Sequence, residues 1–161
     1  MQDGYFEKNT TERFEVLIVE NDPAAARLTR EAFREAGITE GVRCVADGDQ
    51  ALALLRRQAS YADAPLPDIV FLDLHLPKKS GLEVLAELKN SPRLKATPVV
   101  VVSGSDNPRE VREAYELHAN CYIRKPHDLH EFLKFVAVCY QFWGAVVTLP
   151  PKTEFAGSAA R

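Results

Sequence analysis

Short apolar runs alternate along the chain with segments whose apolar residues recur every three or four positions. Five runs predict strands: FEVLIVE (14–20), VRCVA (42–46), DIVFLDL (68–74), TPVVVVSGS (97–105) and CYIRKP (121–126). The segments after them predict five helices, whose apolar faces are marked by Leu28, Ala32 and Phe33; Ala51, Leu54 and Leu55; Leu82, Leu85 and Ala86; Val111, Ala114 and Tyr115; and Leu129, Phe132, Leu133, Val136 and Tyr140.

The strand cores VLIV, IVFL and VVVV are apolar without alternation, so both faces of each strand should be covered. Strands that alternate with helices and are buried on both sides are typical of a parallel sheet between two helical layers. The pattern therefore predicts an α/β fold, a doubly wound five-stranded parallel sheet.

The amino-acid composition argues against several classes of function for this chain. The chain has 161 residues, 46% hydrophobic and 27% charged, with a net charge of −3, which suits one soluble domain and disfavours nucleic acid as the main ligand. No apolar run reaches the roughly 18–20 residues that span a bilayer, and the N-terminus lacks a signal-peptide core. Three cysteines without CxxC spacing predict free thiols in a reducing cytoplasm.

Polar side chains follow four of the predicted strands at their carboxyl ends. Glu20, Asn21 and Asp22 follow the first strand, and Asp73 follows the third. The other two positions are Ser103, after the fourth strand, and Lys125, after the fifth. Each alone is an ordinary helix cap or turn residue, but sites in open parallel sheets form at this edge, so the set predicts a functional site.

Crowded carboxylates repel one another, and a divalent cation with oxygen ligands such as Mg²⁺ removes that penalty. A lysine and a hydroxyl beside the metal complete a site that can hold the oxygens of a phosphoryl group. Asp73, on the predicted central strand, is the natural nucleophile of such a site.

These residues resemble the receiver domain of two-component response regulators. LIVEND is similar to the acidic pocket of that family, FLDLHLPKKSG to its phospho-acceptor segment, VVVVSGS to its switch strand and YIRKP to its lysine–proline turn. The resemblance covers about residues 14–141 and implies a flavodoxin-like receiver fold.

The resemblance implies a role for each matching residue. Asp73 would be the phospho-acceptor, Lys125 would pair with the phosphoryl group, and Ser103 would supply the hydroxyl that shifts on phosphorylation. Tyr122 would be the aromatic switch that turns inward with that hydroxyl, and Pro126 would follow a cis peptide bond.

The metal ligands implied by the resemblance are Glu20, Asn21, Asp73 and the backbone carbonyl of His75. The family pocket usually has two consecutive acids, whereas this chain has Glu20 followed by Asn21. An amide oxygen coordinates Mg²⁺ without adding charge, so we expect weakened affinity, with Asp22 as a possible substitute ligand. An idle pocket is the alternative.

Only 35 residues follow Pro126, too few for a helix-turn-helix or an enzyme after the fifth helix, so a stand-alone receiver is expected. The stretch 142–151 predicts an extended C-terminal arm between the receiver and a disordered tail (152–161); residues 1–13 predict a flexible leader. The apolar residues of the arm are Phe142, Trp143, Val146, Val147 and Leu149. They either contact a second copy of the chain or fold back on the fifth helix.

The arm, the loop RRQASYADAPLPD and the segment LPKKSGLEVLAELK resemble the single-domain regulators that partner phytochrome-type histidine kinases. That resemblance implies a homodimer and a light-sensing kinase partner, with signalling through protein contacts. The alternative is a phosphorylation-independent scaffold. We do not expect an enzyme acting on other substrates, because related hydrolases need a second acid where this chain has His75.

Overall fold

The computed structural model describes residues 13–152, so the predicted leader and tail lie outside the described residues except for Arg13 and Lys152. The strands are β1 (Val16–Val19), β2 (Val42–Val45), β3 (Ile69–Leu72), β4 (Val99–Ser103) and β5 (Cys121–Arg124). The helices are α1 (Pro23–Glu35), α2 (Gly48–Leu55), α3 (Gly81–Asn90), α4 (Pro108–Glu116) and α5 (Leu129–Tyr140). A 3₁₀ turn covers Ala59–Tyr61, and a π-helical turn covers Gln141–Val146.

The five strands form one parallel sheet in the order β2-β1-β3-β4-β5. Every residue of β1, β3 and β4 is buried, as expected for strands covered on both faces. One face packs against α2, α3 and α4, through residues such as Ala51, Leu85 and Ala114. The other packs against α1 and α5, through Phe33 and Phe132. The predicted doubly wound fold is confirmed.

A polar side chain caps the start of each α-helix, directly after its β-to-α loop. The carboxylate of Asp22 accepts from the backbone N–H of Ala24 (2.8 Å) and so starts α1. Ser80 and Glu83 form a capping box that starts α3. The β-to-α loops at the carboxyl edge of the sheet are short, except for the one between β3 and α3, which covers residues 73–80.

The prediction of an extended arm from residue 142 is wrong for its first half. The chain continues from α5 into the π-helical turn Gln141–Val146 and becomes extended only at Val147. Packing explains the continuation, because Trp143 covers the α1/α5 layer of the core. A Cβ on Gly144 would lie only 2.7 Å from the Tyr140 ring, which would have to shift to admit it. Farther on, Lys152 pairs with Asp68 (3.1 Å).

Within residues 13–152, no helix combines the length and apolar character needed to cross a membrane.

Candidate functional site

Asp73 follows β3 directly and is held by its own backbone neighbours. Its N–H donates to the carbonyl of Val19 (3.0 Å), and its Oδ1 accepts from the N–H of His75 (3.0 Å). A Cβ placed on Gly81 would lie 2.2 Å from the carbonyl oxygen of Asp73, so only glycine lets α3 begin this close to the acceptor strand. The carboxylate itself is buried, with 9% of the residue exposed.

Lys125 joins the ends of three strands. Its Nζ lies 3.2 Å from Asp73 Oδ2 and 2.5 Å from Glu20 Oε2. The second oxygen of Glu20 accepts from the N–H of Asp22 (2.9 Å). Glu20, Asp73 and Lys125, which are far apart in the chain, therefore form one cluster at the carboxyl edge of the sheet. We call these three residues the acidic cluster.

The acidic cluster carries one negative charge in excess, since two buried carboxylates share one ammonium group. Burial by itself disfavours the charged ammonium, but the hydrogen bonds and charges of Glu20 and Asp73 outweigh it and raise the pKa of Lys125. The lysine is therefore fully charged at neutral pH, and the uncompensated charge makes the cluster suited to a cation.

The two switch residues predicted from the sequence lie beside this cluster. Ser103, at the end of β4, is fully buried; its Oγ accepts from the N–H of Ser105 (3.3 Å) and lies 3.5 Å from His75 Nδ1. The half-buried Tyr122 packs on the α2–α4 layer of the core, and its hydroxyl donates to the carbonyl of Ser105 (2.8 Å). Both side chains thus contact the loop between β4 and α4.

The donor set around Asp73 suits a hard divalent cation. Two buried carboxylates and the adjacent amide of Asn21 supply oxygen ligands, although Asn21 is exposed and uncharged. Asp22 uses one oxygen to cap α1, which limits it as a substitute ligand. Among the described residues, no three His, Cys, Asp or Glu side chains form a metal-binding group, so a cation here would also need amide or backbone oxygens.

The predicted cis peptide before Pro126 is wrong: within residues 13–152 every peptide bond is trans. The trans form of a bond to proline is favoured by about 0.5–1 kcal/mol. The N–H of Lys125 donates to the carbonyl of Ser103 (2.7 Å), and its ammonium group contacts Glu20 and Asp73.

The family model described as the response regulator receiver domain matches residues 16–137 of this chain. The chain belongs to this family. The matched residues include all five strands and the acidic cluster, so the candidate site lies within the receiver domain. As a receiver-type response regulator, the protein takes part in phosphorylation-dependent signalling.

Individual relatives agree with this assignment. Response regulator Rcp1 from Synechocystis is 43% identical over 135 residues, which are 84% of this chain and 92% of Rcp1. The crystal structure of the phosphorylated cyanobacterial phytochrome response regulator RcpA is 42% identical, with a TM-score of 0.84 over 87% of this chain and all of that one. The Mn²⁺-bound form of Rcp1 is also 42% identical, with a TM-score of 0.81 over 86% of this chain and 99% of that one.

One residue of the receiver site was missed from the sequence. Glu110, in the first turn of α4, places Oε1 3.5 Å from His75 Nε2. An acid in the first turn of a helix is common because it complements the helix dipole, so no sequence signal sets Glu110 apart.

Proposed function

We propose that this response regulator accepts a phosphoryl group on Asp73 from a phytochrome-type sensor histidine kinase and signals through protein contacts. The observation that carries the proposal is the acidic cluster, in which one lysine holds a buried carboxylate at the end of the central strand. The likeness to RcpA, a phytochrome response regulator, supports the kinase class.

The chemistry follows from the residues. A carboxylate oxygen of Asp73 attacks the phosphorus of the kinase phosphohistidine, a P–O bond forms, and the P–N bond breaks with its electron pair returning to the imidazole. Lys125, already 3.2 Å from Asp73, offsets charge on the phosphoryl oxygens, and Ser103 supplies a hydroxyl from the neighbouring strand. Water later hydrolyses the acyl phosphate. The protein thus catalyses only its own phosphorylation and dephosphorylation.

Glu20, Asn21, Asp73 and the carbonyl of His75 would hold the divalent cation, which we propose to be Mg²⁺. When bound, it supplies positive charge opposite the phosphoryl oxygens. The Mn²⁺-bound form of the relative Rcp1 supports a divalent ion at this site. Because Asn21 brings no charge, we propose weaker binding than in receivers with two consecutive acids.

We also propose a cytoplasmic homodimer without nucleic-acid or membrane partners. Three side chains four residues apart form an apolar stripe along α5 and the π-helical turn: Val138 (63% exposed), Phe142 (50%) and Val146 (55%). Of the other predicted arm residues, Trp143 packs on its own core, and Val147 and Leu149 are half-buried. The stripe, rather than the whole arm, is the surface that favours a second copy.

The phosphotransfer is tested by mixing the protein with candidate phytochrome kinases and labelled ATP, in darkness and in red light. We expect label to pass to the wild type but not to Asp73→Asn, and the transfer to differ between the two light conditions. Transfer from a non-phytochrome kinase alone would overturn the partner class. Unchanged partner binding by Asp73→Asn, with no labelling of the wild type, would instead favour a phosphorylation-independent scaffold.

The dimer is tested by sedimentation equilibrium. Phe142→Ser should shift the protein towards monomer, while Tyr115→Ser, which removes a similarly exposed aromatic (47%) from α4, should not. A monomeric wild type would refute the dimer and leave the phosphotransfer proposal unaffected.

A further inference from the structure

His75 lies between the switch hydroxyl and α4. Its Nδ1 is 3.5 Å from Ser103 Oγ, and its Nε2 is 3.5 Å from Glu110 Oε1. Because the His75 side chain is 61% exposed, its orientation depends on these two polar contacts more than on packing. The imidazole is therefore the side chain that joins β4 to the first turn of α4.

The chemistry of Glu110 and Ser103 determines which ring nitrogen of His75 donates and which accepts. A carboxylate only accepts, so the 3.5 Å contact with Glu110 favours a ring proton on Nε2, which leaves Nδ1 as an acceptor for the Ser103 hydroxyl. The Ser103 oxygen in turn accepts from the N–H of Ser105 (3.3 Å). We call this chain of contacts the Ser103–His75–Glu110 relay.

The relay is weak and easily exchanged. Both ring contacts are at the upper limit of hydrogen-bond length, well beyond the usual range of about 2.7–3.2 Å. In addition, Glu110 Oε2 is the one buried side-chain polar atom within residues 13–152 that lacks a hydrogen-bond partner. The polar contact of the Glu110 carboxylate that joins it to His75 therefore runs through Oε1.

A serine hydroxyl has one proton, so it cannot donate to His75 and to a phosphoryl oxygen at once. We propose that His75 is a positioning residue, and that phosphorylation withdraws the Ser103 hydroxyl from it and so loosens the first turn of α4 through Glu110. The inference rests on the proposed phosphorylation of Asp73 for its trigger, but the relay itself is present in the unphosphorylated protein.

The relay is tested first without phosphorylation, by amide hydrogen exchange of residues 111–116. His75→Ala and Glu110→Ala should each accelerate exchange by about 2-fold, the low end of the effect of losing one hydrogen bond, because the contacts are long. The double variant should exchange no faster than either single one, because both remove the same link. Additive effects, or a Glu110→Ala variant that exchanges like the wild type, would overturn the proposal.

Two further variants separate the relay from general damage to α4. Glu113→Ala removes an exposed carboxylate from the same helix and should leave the exchange unchanged. Glu110→Gln keeps an oxygen that accepts from Nε2–H and should retain the slow exchange of the wild type. Fast exchange in Glu110→Gln equal to that of Glu110→Ala would count against the relay.

The trigger is tested with acetyl phosphate and Mg²⁺. Phosphorylation should accelerate α4 exchange in the wild type and have little further effect in His75→Ala, in which the helix start is already released. Equal acceleration in both proteins would refute the coupling. A wild type that accepts no phosphoryl group would refute the proposed function instead, while additivity in the unphosphorylated variants refutes the relay, so the two failures are distinguishable.

Discussion

The two ends of the sheet both bury acidic residues but balance them differently. At the amino end, Glu15 lies between Arg13 (3.2 Å) and Arg43 (3.3 Å). Beside it, Asp68 accepts from the N–H of Glu15 (2.7 Å) and pairs with Lys152 (3.1 Å). Arg13 also pairs with Glu40 (3.5 Å), so three acids meet three cationic side chains, and the amino end has no excess negative charge.

At the carboxyl end, Glu20 and Asp73 share Lys125. The difference shows that buried charge alone does not identify a site, because paired buried acids occur at both ends. What distinguishes the carboxyl end is the shortage of cations, which leaves it ready for a metal ion and a transferable anion.

The largest effect should come from removing the acceptor. Asp73→Asn should abolish phosphorylation, because an amide oxygen is not a nucleophile of comparable strength. Asp68→Asn, the same change at the amino end, should be labelled like the wild type. Intact-mass measurement after treatment with acetyl phosphate and Mg²⁺ checks both, and residual labelling of Asp73→Asn would show that another residue accepts the phosphoryl group.

The next effect concerns stability. Lys125→Ala should lower the free energy of unfolding by about 1–3 kcal/mol without metal, since it leaves two buried carboxylates unpaired. Mg²⁺ should restore more stability to Lys125→Ala than it adds to the wild type. Arg43→Ala should gain only the wild-type increment, because Glu15 keeps Arg13. Urea unfolding with and without Mg²⁺ measures this; equal increments in all three proteins would contradict a cation at the acidic cluster.

A smaller effect should follow from adding charge. Asn21→Asp should tighten divalent-metal binding at least about fivefold, since two opposite unit charges 4 Å apart attract by about 1 kcal/mol even in bulk water. The exposed Asn90, at the end of α3, offers a matched control in Asn90→Asp. Titration with Mn²⁺ followed by calorimetry checks the difference. Equal affinities for wild type and Asn21→Asp would remove Asn21 from the ligand set.

The smallest effect belongs to the amino end. Lys152→Ala should cost less than about 1 kcal/mol, because its pair with Asp68 is partly exposed and Asp68 keeps the Glu15 N–H. Urea unfolding should also show the wild-type response to Mg²⁺. A loss as large as that of Lys125→Ala would mean that the two ends of the sheet do not differ as described.

The fold could be predicted because β1, β3 and β4 are apolar on both faces, and few folds other than a parallel sheet between two helical layers bury such strands. The acidic cluster could be predicted because parallel strands bring their carboxyl ends to one edge. The π-helical turn could not, since it depends on Trp143 packing against distant residues. Nor could the contact of His75 with Glu110, which depends on the angle at which α4 leaves the sheet.

The close approach of Gly81 to the carbonyl of Asp73 has one further consequence. Because the start of α3 packs directly against the main chain of Asp73, the backbone of the acceptor has no room to move away when a bulky phosphoryl dianion is added to its side chain. We therefore expect the segments after β1 and β4 to move instead. The rigid backbone beneath the carboxylate thus determines which neighbouring segments respond when Asp73 is phosphorylated.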